Sequence, residues 1–186
     1  MECTRGEKVF AYLGIIGPAI AFVSIFLSIS LSPSFSWYRN ALSDLGHAQR
    51  SNVAPIFNSG LLLSGFLTAI YAIKSLLNHA KYTGFSVAFS ALMLQFIATF
   101  DEIYGTLHFI VSLLFFASAG VSCIIYFIES RKVLAIVAFL VGLLAWLLYW
   151  ANIYEMGVAV PEIISAASIT TCLIYSSLSI LRGKEF

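Results

Sequence analysis

The chain has 186 residues, of which 60% are hydrophobic and 10% charged, with a formal net charge of +1 and a mean hydropathy of +0.95. A soluble domain carries about 25% charged residues, so this composition excludes a soluble globular protein, a disordered chain and a disulfide-stapled secreted fold. What remains is an all-α polytopic membrane protein, one transmembrane domain over residues 1–186, and the near-neutral charge gives no reason to expect nucleic acid as a partner.

The first apolar run, about 9–31, follows Arg5 and Lys8. It is too long for a signal-peptide core and lacks a small-x-small cleavage site, so it reads as a retained first membrane helix. Gly14 and Gly17-Pro18 within it permit close packing and a kink. The longest connection follows, about 32–52, with Trp37 and Tyr38 suited to a membrane interface and the run Asn40-Ala41-Leu42-Ser43-Asp44-Leu45-Gly46-His47. A second helix is expected over about 53–77, a third over 82–100 and a fourth over 104–128. Only Asp101, Glu102 and their neighbours separate the third from the fourth. One continuous helix would far exceed a bilayer, and two mid-membrane carboxylates would be costly, so these residues mark an interfacial turn. The fifth helix is expected over 132–151 and the sixth over 160–181, the latter opening with Pro161-Glu162. Cys123-Ile124-Ile125-Tyr126 and Cys172-Leu173-Ile174-Tyr175 hint at a faint internal repeat.

Alternate loops fall on opposite sides of the membrane. Arg5, Lys8, Lys74, Lys81, Arg131, Lys132, Arg182 and Lys184 fall on one side and Arg39 and Arg50 on the other, eight against two. The excess of basic residues predicts cytoplasmic N- and C-termini and a multi-pass protein of the cell membrane. Asp44, Asp101, Glu102, Glu155 and Glu162 all fall on the outer side, with His47 and His108 on or near it, whereas His79 lies in an inner loop and reads as solvated. Cys3, Cys123 and Cys172 are odd in number and far apart, which gives no disulfide framework and no Cys-x-x-Cys metal or redox site; Cys123 and Cys172 read as small apolar filler.

The polar residues of the outer side form the candidate site. Asp44 and His47 share a face if they lie on a helical turn, where the carboxylate would orient the imidazole as base or metal ligand; a solvated cap is the plainer alternative. Asp101 and His108 flank a turn, and an imidazole inside a membrane helix is a candidate general base, proton carrier or ligand, or else a structural hydrogen-bonding group. Asn58 hydrogen-bonds across the bundle as packing glue or else faces a pocket, and Gln95 needs a partner in hydrocarbon. The expected catalytic residues are Asp44, Asp101 and His108; the expected substrate-binding residues are Ser43, Asn58, Tyr104, Glu155 and Glu162; a metal would fall to His47, His108 and Asp44.

The Asn40-to-Gly46 run after a first membrane helix, Pro55-Ile56-Phe57-Asn58-Ser59-Gly60 opening the second, and Asp101 followed by His108 together resemble domain-of-unknown-function family 998. These are six-helix prokaryotic membrane proteins, and the resemblance covers nearly the whole chain. It implies the topology and a shared site but no activity. Ser43, Asp44, Asp101 and His108 are also loosely similar to the ceramidase and progestin-receptor superfamily of membrane hydrolases, whose resemblance implies zinc. The departure is that the sixth helix here has no histidine, so zinc would need carboxylate partners.

Three functions fit these observations. One is an outward polar pocket that binds or transports a small or lipid-like molecule. Another is a metal-dependent membrane hydrolase acting on lipids. The third is a structural or assembly partner of another membrane protein. Membrane lipids and a small amphiphilic ligand are the expected partners, with a homo-oligomer left open, and the sequence names no cofactor beyond that zinc.

Overall fold

A computed structural model describes residues 5–183; Cys3 and Lys184 lie outside the described residues. All regular structure among the described residues is helical. Helix α1 (Arg5–Ala11) and helix α2 (Leu13–Ser30) are separated only by Tyr12 and together form one apolar span, Gly6–Ser30. The others are α3 (Ala54–Lys74), α4 (Lys81–Thr99), α5 (Thr106–Ser130), α6 (Val133–Trp150) and α7 (Ala159–Leu181). Six helices among the described residues are long and apolar enough to cross a membrane. The briefest, α6, has 18 residues and is about 27 Å long, close to the thickness of a hydrocarbon core. Phe109, Leu113 and Leu140, on α5 and α6, are more than half exposed, as side chains that face lipid can be.

Short 3-10 turns complete the connections: Leu42–Gly46, Leu76–Asn78 and Glu102–Tyr104. The hairpin expected at Asp101 and Glu102 is closed by Gly105, whose φ of +52° is a conformation that an L side chain resists.

Polarity separates the two ends of the bundle. At one end Leu42 and Leu45 of the long connection pack with Phe57, Ile97, Val111 and Ala159. This is the acidic end. At the other, Ala11, Leu76, Ala80 and Ile180 pack together near Lys8, Lys74 and Lys81. His79, expected to be solvated, is half-buried there, and burial lowers its pKa from the ordinary 6.5. Gln95 finds its partner within its own helix, the Ala91 carbonyl at 3.2 Å.

Helix spacing divides the bundle into a tight half and an open half. A Cβ added to Gly17 on α2 would lie 2.7 Å from Thr68 Oγ1 on α3, and one at Gly60 would overlap Ser24. One at Gly65 would lie 2.7 Å from the Ala91 carbonyl of α4. Without side chains at these glycines the backbones of α2, α3 and α4 approach closely, the usual means of packing helices in lipid, where no hydrophobic force joins them. Gly120 on α5 and Gly142 on α6 differ: their added Cβ atoms would meet Phe139 and Ser165 at 3.5 and 3.4 Å, ordinary contact distances. Towards the basic end, α5 and α7 meet through Cys123 and Cys172, both buried, with Sγ atoms 3.9 Å apart.

This asymmetry is measurable. Gly60→Val should cost about 1–3 kcal/mol by overpacking and lower the thermal midpoint in mild detergent, whereas Gly120→Ala should leave it unchanged. Equal effects in the two variants would contradict the division.

Candidate functional site

The connection between α2 and α3 folds over the acidic end as a lid of irregular backbone. Several of its polar groups bond side chains of other elements. Leu42 N–H donates to Glu162 Oε2 of α7 at 2.6 Å, and Ala48 N–H to Asp101 Oδ2 at 3.3 Å. Asn58 Nδ2 of α3 donates to the Gly46 carbonyl at 2.8 Å, and the Ser43 hydroxyl to Glu102 Oε1 at 2.8 Å. The connection between α6 and α7, at the same end, is joined to the lid by main-chain bonds, Gly157 N–H to the Trp37 carbonyl at 2.8 Å and Ala159 N–H, the first of α7, to the Asn40 carbonyl at 3.0 Å. Gly157 has no room for a side chain, since a Cβ would lie 2.6 Å from the Asn40 carbonyl oxygen.

Beneath this lid a cavity of about 950 Å³ runs between α5, α6 and α7. Its polar end is lined by Ser43, His47, Glu102, His108, Ser112 and Glu162, with Arg50 also in the lining. Its walls are apolar and aromatic, with Phe116, Phe139, Trp146 and Trp150 among them, and it reaches Cys123. From His108 to Cys123 it follows α5 for about 22 Å at the helical rise per residue. Phe109, Leu113 and Trp150 of the lining are 65%, 55% and 63% exposed, so the cavity is a crevice open sideways. A second cavity, about 120 Å³, lies among α2, α3, α4, α5 and α7 and shares Ser43, Ser112, Phe116, Glu162 and Ile169 with the first.

The expected site residues divide between the crevice and the hydrogen bonds that hold the lid and turn. Ser43, His47, His108 and Glu162 line the crevice. Asp44 does not face His47: its Oδ2 accepts from Asn40 Nδ2 at 2.6 Å and from Ala41 N–H at 3.0 Å. His47 Nδ1 accepts from Gln49 N–H at 3.3 Å. Asp101 caps the turn that follows it, accepting from Ile103 N–H at 2.9 Å, besides holding Ala48. Asn58 holds the lid. Tyr104 is 54% exposed, its ring edge-on to Phe100, and Glu155 is exposed; neither lines the crevice. Of the expected catalytic trio Asp44, Asp101 and His108, only His108 does.

The zinc set His47, His108 and Asp44 is not assembled. No group of three or more His, Cys, Asp or Glu side chains is placed to hold a metal ion among the described residues. His108 Nδ1 bonds the Phe100 carbonyl at 2.8 Å, which leaves Nε2 available, but Asp44 Oδ2 is taken up by Asn40 and Ala41. A structural or catalytic zinc takes at least three protein ligands, so these residues do not fit one.

Glu102, Ser112 and Ser165 line the crevice without being among the residues expected from the sequence. Two of them were legible in principle. Ser112 lies four residues after His108, the spacing that brings side chains together on one helix, and its Oγ is 3.4 Å from His108 Nε2. Glu102 adjoins Asp101 on the turn. Burial raises the Glu102 pKa above its ordinary value, the Ser43 hydrogen bond lowers it, and neighbouring Asp44 raises it again.

The fold and this crevice define a multi-pass helical membrane protein with a covered polar end. Residues 15–179 match the family described as "Protein of unknown function (DUF998)", and the chain belongs to that family. No curated protein and no solved structure matches it.

The raised Glu102 pKa sets a pH dependence. A carboxyl that binds its proton more tightly when folded contributes stability that is fully present below the unfolded pKa and is lost as pH rises through the folded one. The thermal midpoint in detergent should therefore fall as pH climbs from about the ordinary 4.5. Glu102→Gln, which keeps an acceptor for Ser43, should flatten that part of the profile; a profile identical to wild type would refute the assignment.

Proposed function

We propose that the protein binds a lipid-like amphiphile in the crevice between α5, α6 and α7. The polar head meets Ser43, His47, Glu102, His108 and Glu162, and the chain lies between Phe116, Phe139, Trp146 and the facing helices. The observation that carries this reading is the shape and chemistry of one cavity. It has about 950 Å³, within the range of ligand pockets, a cluster of polar groups at one end and apolar walls beyond. Its sideways opening supports entry from the bilayer rather than from water. With the termini on the cytoplasmic side, as the basic residues favour, the head would lie in the outer leaflet of the cell membrane.

Tryptophan quenching tests it. Trp146 and Trp150 line the crevice, while Trp37 packs on Phe35 away from it, so a Trp37→Phe background reports on the crevice. In nanodiscs, an amphiphile with a brominated chain should quench the remaining fluorescence saturably. Gly120→Leu, which projects a side chain into the crevice, should weaken this at least about tenfold, a loss of about 1.4 kcal/mol, without shifting the thermal midpoint. Unchanged affinity in Gly120→Leu would refute the crevice as the binding site.

A further inference from the structure

We infer that Ser112 and His108 form a nucleophile–base pair that cleaves an acyl ester of the bound amphiphile. The inference rests on the reading that an amphiphile occupies the crevice. Both side chains line that crevice, and Ser112 Oγ lies 3.4 Å from His108 Nε2. The other ring nitrogen fixes the tautomer. His108 Nδ1 is 2.8 Å from the Phe100 carbonyl oxygen, and a carbonyl oxygen can only accept, so the Nδ1 of a neutral ring carries the proton. Nε2 then presents its lone pair towards the Ser112 hydroxyl. A nucleophile, a base within reach and a third group that orients the base constitute the signature of an activated serine, and such contacts are commonly long before substrate binds. His108 is 8% exposed, so its ring is held within the protein.

Two further features suit the chemistry. Glu102 lines the same polar end of the crevice as His108 and Ser112, so the pair stands in a polar pocket rather than against bare hydrocarbon. Depth selects the class of bond. Helix α5 has 25 residues and is about 37 Å long; centred on a 30 Å hydrocarbon core it would overhang by about 4 Å at each end. Ser112 is six residues into the helix, about 9 Å from its start and so about 5 Å inside the core. A bond cleaved there lies just below the head of an amphiphile, where a linkage joins head to chain.

The steps balance without a metal or redox partner. Ser112 Oγ attacks the ester carbonyl carbon as its proton passes to His108 Nε2. The carbon–oxygen bond to the alcohol breaks, and the alcohol leaves with the proton from His108, so Ser112 is acylated. Water then attacks the acyl carbon as His108 Nε2 takes its proton, the bond between that carbon and Ser112 Oγ breaks, and His108 returns the proton to Oγ. The products are a carboxylic acid and an alcohol.

The test is covalent labelling of the full chain in mild detergent with a long-chain alkyl fluorophosphonate, read by intact mass and peptide mapping. The serine oxygen bonds to phosphorus and fluoride leaves. One adduct per chain is expected, at Ser112, absent in Ser112→Ala and formed at least about a hundredfold more slowly in His108→Gln. Ser112→Ala removes one oxygen at a half-buried position, so its thermal midpoint should match wild type. No adduct, an adduct elsewhere, or undiminished labelling of Ser112→Ala would overturn the inference. Brominated-chain quenching separates the two readings: saturable quenching without an adduct leaves the crevice as a binding site and removes the chemistry, whereas loss of both removes the two together.

Discussion

Irregular backbone at the edge of a bilayer must find partners for its N–H and C=O groups, because hydrocarbon supplies none. The connection between α2 and α3 meets this demand through side chains from elsewhere in the bundle: Glu162 for Leu42, Asp101 for Ala48 and Asn58 for Gly46. A buried N–H left without a partner would cost about 1–3 kcal/mol, so each of these acceptors matters to the lid. The acidity of this end therefore has a structural origin, since the carboxylates are the acceptors that hold the lid. Asp44 serves the same purpose within the lid itself.

The crevice depends on that arrangement. Ser43 and His47 come from the lid and Glu102 from the turn beside it, and all three line the polar end. The tight half of the bundle provides the frame. Glycines bring α2, α3 and α4 together, and α3 presents Asn58 to the lid. On the other side, Phe139 and Ser165 stand at ordinary contact distance from where Gly120 and Gly142 side chains would begin. Aromatic side chains then line a gap that backbone contact would otherwise close.

The six helices were legible because membrane-spanning length and apolar composition leave few alternatives. The turn at Asp101 and Glu102 was legible because two adjacent carboxylates cannot lie in mid-membrane. The site was legible only in part. Spacing alone pairs Asp44 with His47, but the chain there forms a 3-10 turn, and a nearby backbone N–H and Asn40 take up the carboxylate. Asp101 and His108 flank the same turn, yet one caps it and the other points into the crevice, a difference set by backbone direction rather than by residue type. Cys123 and Cys172 read as filler because their contact depends on how α5 and α7 cross, which no local pattern encodes. Ser112 had a local signal, its four-residue offset from His108. Among the many serines of this chain, only the opening of α5 from α7 distinguishes it.

The contact of the two thiols acts as a vertex. Helices α5 and α7 touch at Cys123 and Cys172, and the crevice separates them towards the acidic end, with Ser112 on one wall and Ser165 on the other. Two rods joined at one point diverge in proportion to the distance from it. A small tilt of α5 changes the width near His108, about 22 Å along the helix, far more than the width beside the cysteines. The end beside the cysteines thus keeps a fixed bore while the mouth beside His108 adjusts, so one contact makes the crevice stiff at its base and compliant at its opening.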